Sequence, residues 1–202
     1  MFITDEMVRG MELRYGVPLL REFVIPATKT ELDRIRSSQK HGRDHDVTLY
    51  IEKDGKLVVI AKHPYPPGLF RAPSGGLQPG ESFLDGMHRE AHEETGCDIA
   101  IERFILRTLV KFEYEHDRSD SVLWRSFVFS AKYISGDFAY TDHHEISAVR
   151  LADWSEFETF GRIMRQSESA GLHYRAALHE VIAGLLRSRP IIPYRTLWHL
   201  GQ

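Results

Sequence analysis

From residue 46 onward, short β-branched apolar runs alternate with polar breaks. Two such runs, Val47-Thr48-Leu49-Tyr50-Ile51 and Lys56-Leu57-Val58-Val59-Ile60, flank Lys53-Asp54-Gly55. This predicts a β-hairpin, because Asp-Gly favours the tight turns that join antiparallel strands. Residues 64–80 hold Pro64, Pro66, Pro67, Gly68, Pro73, Gly75, Gly76, Pro79 and Gly80, too many breakers for regular structure, so a shaped loop is expected. The period then becomes helical from Glu81 to about Thr95, with Phe83, Leu84, Met87 and Ala91 on one face and Gly96 as the stop. Two longer β segments are expected near 99–114 and 121–134, separated by the polar turn His116-Asp117-Arg118-Ser119-Asp120, with a shorter one from Ile146 to Leu151. Leu178, Val181, Ile182 and Leu185 recur at i, i+3, i+4 and i+7 and predict a helix over 171–188 docked on the sheet.

Residues 1–45 read differently. They combine a short amphipathic stretch (Met7, Met11, Leu13), an apolar run Phe23-Val24-Ile25 closed by Pro26, and a helix from about Lys29 to Ser38 opened by Thr28 and Glu31 at capping-box spacing. The segment is expected to be an N-terminal arm used for packing or dimerisation, followed by one domain over 46–190 and a tail over 191–202. Strands flanked by a central and a terminal helix imply an α/β sandwich with a mixed sheet.

Composition narrows the function classes. A chain of 202 residues with 42% hydrophobic residues can bury a single core without disulfide or metal staples. The net charge of −3 argues against a chain held mainly to nucleic acid or anionic lipid, and residues 151–202 carry six Arg against five acidic residues, too little for a DNA-reading module. The lone Cys97 fits a reducing compartment, and with neither a signal-peptide pattern nor 18 consecutive apolar residues, the expected location is the cytoplasm, without membrane association.

The chemistry is concentrated in Gly75-Gly76-Leu77-Gln78-Pro79-Gly80-Glu81, seven residues, then Arg89-Glu90-Ala91-His92-Glu93-Glu94-Thr95-Gly96-Cys97. On a helix Glu90, Glu93 and Glu94 stand at i, i+3 and i+4, where like charges repel by a few tenths of a kcal/mol per pair (~0.2–0.5). A cation over that face would relieve the repulsion, and hard divalent ions such as Mg²⁺ or Mn²⁺ prefer such oxygen ligands. Three glutamates alone would equally suit a solvated acidic face. The wider spacing decides: it resembles the Nudix box, G-x5-E-x7-R-E-U-x-E-E-x-G-U with U apolar, at every fixed position. At ~6% usage per fixed residue, a chance match in such a chain is on the order of one in ten million.

The resemblance implies a Nudix-like α/β/α sandwich and a divalent-metal-dependent pyrophosphohydrolase that cleaves a nucleotide P–O–P link. It assigns Glu90, Glu93 and Glu94 to Mg²⁺ or Mn²⁺, and Glu81 and Arg89 to bracing the loop and helix, with Glu81 also able to reach a metal. Gly75 and Gly76 are assigned to close backbone approach to the ligand. The catalytic base is either a box glutamate such as Glu93 or an acidic residue of a later loop, for which Glu145 is the first choice and Glu113, Glu115 and Asp117 are alternatives. Arg71, entering the glycine-rich loop, is expected to contact phosphate. His143 and His144 are either phosphate contacts or plain loop residues, and His88 and His92 lack a zinc-motif order.

Two substrate cues conflict. Tyr114, 17 residues beyond Cys97, resembles the tyrosine of diadenosine polyphosphate hydrolases, whereas Pro73-Ser74-Gly75 is nearer the pattern of ADP-ribose and nucleotide-sugar members, although Lys111 and Phe112 stand where ADP-ribose members often carry a proline. Phe112, Tyr114, Trp124 and Phe127 alternate in β segments and suit either a stacked base or a core. The expected substrate is a nucleoside diphosphate linked to another moiety, of ADP-ribose/nucleotide-sugar or dinucleoside polyphosphate type. The intact box favours turnover over a non-catalytic nucleotide sensor.

Overall fold

The computed structural model describes residues 3–187. In chain order the elements are α1 (Asp5–Tyr15), β1 (Leu19–Ala27), α2 (Lys29–Lys40), β2 (His45–Lys53), β3 (Lys56–Lys62), β4 (Ser74–Gly75), α3 (Phe83–Thr95), β5 (Cys97–Tyr114), β6 (Asp117–Gly136), β7 (Ile146–Ala152), α4 (Glu156–Gln166) and α5 (Ala170–Arg187). The strands form one mixed sheet in the order β1-β5-β6-β2-β3-β7, with β4 paired to β2. β1 runs parallel to β5 and β2 parallel to β6, while the remaining pairs are antiparallel.

Alternation along the strands gives the sheet two apolar faces. Val47, Leu49 and Ile51 pack with Ile3, Val8, Phe83, Met87, Ala91, Phe127 and Phe129 beneath α1 and α3. Tyr50, Val59, Leu106, Val110, Phe112 and Val128 face the other way, against Leu32 of α2, Phe157 and Phe160 of α4, and Tyr174, Leu178 and Ile182 of α5. Helices thus cover both faces of a mixed sheet, the sandwich expected.

The hairpin forms as expected, with Lys53 opposite Lys56. The Thr28–Glu31 capping box is complete, each side chain bonding the other's backbone N–H. Three expectations change. The turn after β5 is at Glu115-His116, and Asp117–Asp120 already belong to β6, where Asp120 pairs with Lys29 and Arg36 of α2. These ion pairs and the ladder to β5 hold a polar stretch extended. Helix α4 was not anticipated, although Phe157, Phe160, Gly161 and Met164 are its buried stripe at helical spacing. Finally, residues 3–45 are built into the sandwich: β1 is an edge strand of the sheet, which lets Pro26 sit in it without costing a central ladder bond, and α1 and α2 cover opposite faces. The tail over 191–202 lies outside the described residues.

Candidate active site

The site lies where β4 meets the second half of α3. Ser82 caps that helix, its hydroxyl accepting the Asp85 N–H at 3.2 Å. Phe83, Met87 and Ala91 bury one face, which turns Arg89, Glu90, Glu93 and Glu94 toward the glycine-rich loop. Gly96 ends the helix in the left-handed region (φ 68°), where a Cβ would press into the backbone of Ala139. The backbone N–H groups of Thr141 and Asp142 then donate to the Glu93 carbonyl at 3.0 and 3.1 Å. The loop that carries Glu145 is therefore fastened to the end of the helix that carries the glutamates.

Arg89 is the hub. Its Nε and Nη2 grip both oxygens of Glu81 at 2.8 and 2.9 Å, its Nη1 reaches Glu90 at 2.9 Å and Glu93 at 2.8 Å, and its Nη2 also donates to the Gly76 carbonyl at 2.9 Å. Those bonds hold Glu81 below the usual carboxylate range. The guanidinium is fully engaged within the box, so Arg89 positions the carboxylates and the loop.

Glu90 lies directly beneath Gly75, where a Cβ would overlap its carboxylate. Burial pushes its pKa up; the Arg89 bond opposes this, and the neighbouring Glu94 adds to it. Glu94 is the deepest of the three: its Oε2 accepts the Ser74 N–H at 2.7 Å, and its Oε1 is 3.3 Å from Lys62 Nζ and 3.6 Å from Arg71 Nη2. Glu93 points outward and is the most exposed of them, at 44%. The three share one helix face but do not converge on one point, and among the described residues no three acidic, histidine or cysteine side chains form a ready cation cluster. The donor set still fits a hard divalent ion: it offers only carboxylate oxygens, burial and then the neighbouring Glu94 raise the proton affinity of Glu90, and Gly75 leaves the room that the Glu90 carboxylate occupies.

Arg71 departs from expectation. It is 2% exposed, and its guanidinium is taken up by Tyr65 Oη (2.8 Å), the Ala72 carbonyl (2.7 Å), Ser74 Oγ (3.0 Å) and Glu94. A buried cation committed to those acceptors braces Glu94 and is not free to meet phosphate. The exposed cation beside the loop is instead Arg43, whose side chain crosses Gly76 closely enough that a Cβ there would overlap it, and whose charge acts on Glu90. Its approach depends on β2 pairing with β4, which no chain-local spacing reveals.

Glu145 does reach the site, because Lys62 binds it while standing 3.3 Å from Glu94. The Lys62 bond draws the Glu145 carboxyl below its ordinary range. Tyr114 does not reach it. Arg107, Phe127, Val47 and Gly75 lie level across the sheet, and Tyr114 is seven residues further along β5, on the order of 20 Å away. It stands at the tip of the β5–β6 ribbon, its ring edge-on to His116. Glu113, Glu115 and Asp117 share that tip and are likewise removed from the box. Phe127 is a core ring, 0% exposed. His143 lies in the Glu145 loop with its carbonyl 3.2 Å from the His63 ring, while His88 and His92 are exposed on α3.

The sequence profile of the NUDIX domain matches residues 41–173. Among solved structures, a NUDIX hydrolase from Nitrosomonas europaea is similar at a TM-score of 0.50 with 20% identity, over 69% of this chain and 89% of that one. The E. coli ORF135 protein matches at 0.48 with 19% identity, over 73% and 93%. A MutT NUDIX hydrolase from Burkholderia pseudomallei matches at 0.42 with 24% identity, over 56% and 84%.

Proposed function

The chain belongs to the Nudix family of pyrophosphohydrolases, and from that premise we propose that it hydrolyses the P–O–P link of a nucleoside diphosphate joined to another moiety, of the ADP-ribose or nucleotide-sugar type. The observation that carries this is the arrangement of Glu90, Glu93 and Glu94 about Gly75, organised by the single guanidinium of Arg89. Glu90, Glu93 and Glu94 would hold a divalent ion, Mg²⁺ or Mn²⁺. When bound, such an ion neutralises phosphoryl oxygens and acidifies a water molecule for attack on phosphorus.

The chain's own groups divide the remaining work. The loop from Ser74 to Gly76 lets the diphosphate approach the backbone, and Arg43, exposed above Gly76, meets its charge. Glu93 is the exposed acceptor for the proton of the attacking water. Glu145, stabilised as a carboxylate by Lys62, holds Lys62 against Glu94. Buried Arg71 keeps Glu94 in place. The position of Tyr114 at the tip of the β5–β6 ribbon gives the dinucleoside polyphosphate cue no support, and the Pro73-Ser74-Gly75 cue supports the ADP-ribose or nucleotide-sugar reading.

A phosphate-release screen tests this, with ADP-ribose, nucleotide sugars, dinucleoside polyphosphates and nucleoside triphosphates, each with Mg²⁺, Mn²⁺ or EDTA. Cleavage of ADP-ribose or nucleotide sugars that EDTA abolishes is expected. Cleavage confined to dinucleoside polyphosphates, or unaffected by EDTA, would overturn it.

A further inference from the structure

Across the sheet from α3, a cavity of about 240 Å³ opens between α2, the start of α5 and strands β2, β5 and β6. Its floor carries two aromatic rings, Phe112 and Trp124, on the same face of adjacent strands, and one carboxylate, Asp46. The Asp46 side chain is only 7% exposed. Its Oδ2 is 3.2 Å from Arg175 Nη2, while its Oδ1 has no hydrogen-bond partner among the described residues. A buried carboxylate oxygen left unpaired costs free energy unless a ligand supplies the donor. Nothing in the metal chemistry described above uses this group.

The register connects the cavity to the glutamates. Asp46 lies opposite Ser126 on one side and next to Val47, the partner of Gly75, on the other. From Trp124 to Asp46, and from Asp46 to Ser74, the sheet is crossed in two diagonal steps of roughly 8 Å each. Ser74 is the residue whose N–H holds Glu94. The distance from the aromatic floor to the box is thus comparable to an extended nucleoside diphosphate.

We infer that this cavity is the base-binding site of the substrate and that it takes a nucleobase bearing an exocyclic amino group. The ring lies on Trp124 and Phe112, its amino group donates to Asp46 Oδ1, and its adjacent ring acceptor faces Arg175. Uracil suits this edge poorly, because carbonyl oxygens flank its single N–H and would face the carboxylate. The inference rests on the nucleotide-hydrolase reading and narrows it to adenine, guanine or cytosine derivatives.

Binding is read without turnover, on the full-length ¹⁵N-labelled chain in EDTA, by titrating AMP and UMP and following the indole N–H signals of Trp124, Trp154 and Trp198, with Trp124→Phe identifying the first. AMP is expected to shift the Trp124 signal and to bind at least tenfold tighter than UMP. Asp46→Asn, which presents an amide donor to the cavity, should reduce that preference below threefold or invert it. Trp124→Ala should weaken AMP binding at least tenfold, and it carries the test if the Asp46 variant fails to fold. Equal affinities for AMP and UMP, an unmoved Trp124 signal at millimolar AMP, or unchanged binding by Trp124→Ala would each overturn the assignment. A retained preference for AMP in a protein that hydrolyses no nucleotide would overturn the catalytic reading alone. Normal EDTA-sensitive hydrolysis without base preference would overturn the cavity alone.

Discussion

Replacing Arg71 by Met separates a brace from a phosphate ligand. The guanidinium donates to Tyr65, Ala72 and Ser74 and stands beside Glu94, which is 3% exposed. Breaking a buried ion pair from one side costs about 3–5 kcal/mol, because the surviving charge is left in a low-dielectric site. Here Lys62 at 3.3 Å and the Ser74 N–H at 2.7 Å still compensate Glu94, which places the cost near the lower end, about 3 kcal/mol. A domain of this size loses about 2–4 °C of Tm per kcal/mol, so Arg71→Met should melt roughly 6–12 °C lower. Arg71→Lys keeps the charge but not the planar fork and should lose about 1–2 kcal/mol. Circular dichroism melts, set against KM measured well below each Tm, provide the assay. An Arg71→Met protein melting within about 2 °C of wild type, with KM raised tenfold or more, would refute the bracing role and restore Arg71 as a phosphate contact.

Three further outcomes follow from the same geometry. Glu93→Gln should lower turnover by about two orders of magnitude or more while leaving the melting curve nearly unchanged, since the side chain is isosteric and half exposed; near-normal rates at saturating Mg²⁺ would remove Glu93 from the chemistry. Gly75→Ala should displace the Glu90 carboxylate and cost about 1–3 kcal/mol, read together as a lower Tm and lost activity, whereas an unaltered enzyme would mean that the space above Glu90 is not needed. Burial, aided by Arg175 and Arg71, pushes His179 down to about 3 from 6.5, so the unfolded chain takes up the proton first and stability falls as pH drops below 6.5. Between pH 7 and pH 5 this site removes about 2 kcal/mol; urea unfolding should show that much less loss in His179→Leu, and equal losses in both proteins would contradict it.

The parts of the site that were legible from residues are those whose geometry is local. The glutamate face follows from helical spacing, the stop at Gly96 from its left-handed backbone, and the Thr28–Glu31 cap from a four-residue pattern. What escaped depends on partners distant in the chain. Arg71 reads as a loop cation until the Ile60–Arg71 bridge carries it inside, against Glu94. Asp46 and Arg43 gain their positions only from the β2–β4 and β2–β6 registers. Tyr114 misled because counting residues past the box says nothing about where a long, bulged strand ends. The α4 stripe was present in the residues but is a short helix interrupted by Gly161.

The parallel pairing of β1 with β5 has a consequence for synthesis on the ribosome. Leu19 through Ala27 find their partners only at Leu106 through Tyr114, roughly 90 residues later. At about 5–20 residues per second, the nascent strand waits on the order of 5–20 s for that ladder. During that time Leu20, Phe23, Val24 and Ile25 present an apolar edge to any chaperone, or to a neighbouring nascent chain, within reach. Even in the finished protein Leu20 and Val24 stay 63% and 61% exposed. Yield at high expression should therefore depend on this strand more than on α3, whose contacts are mostly with sequence close at hand.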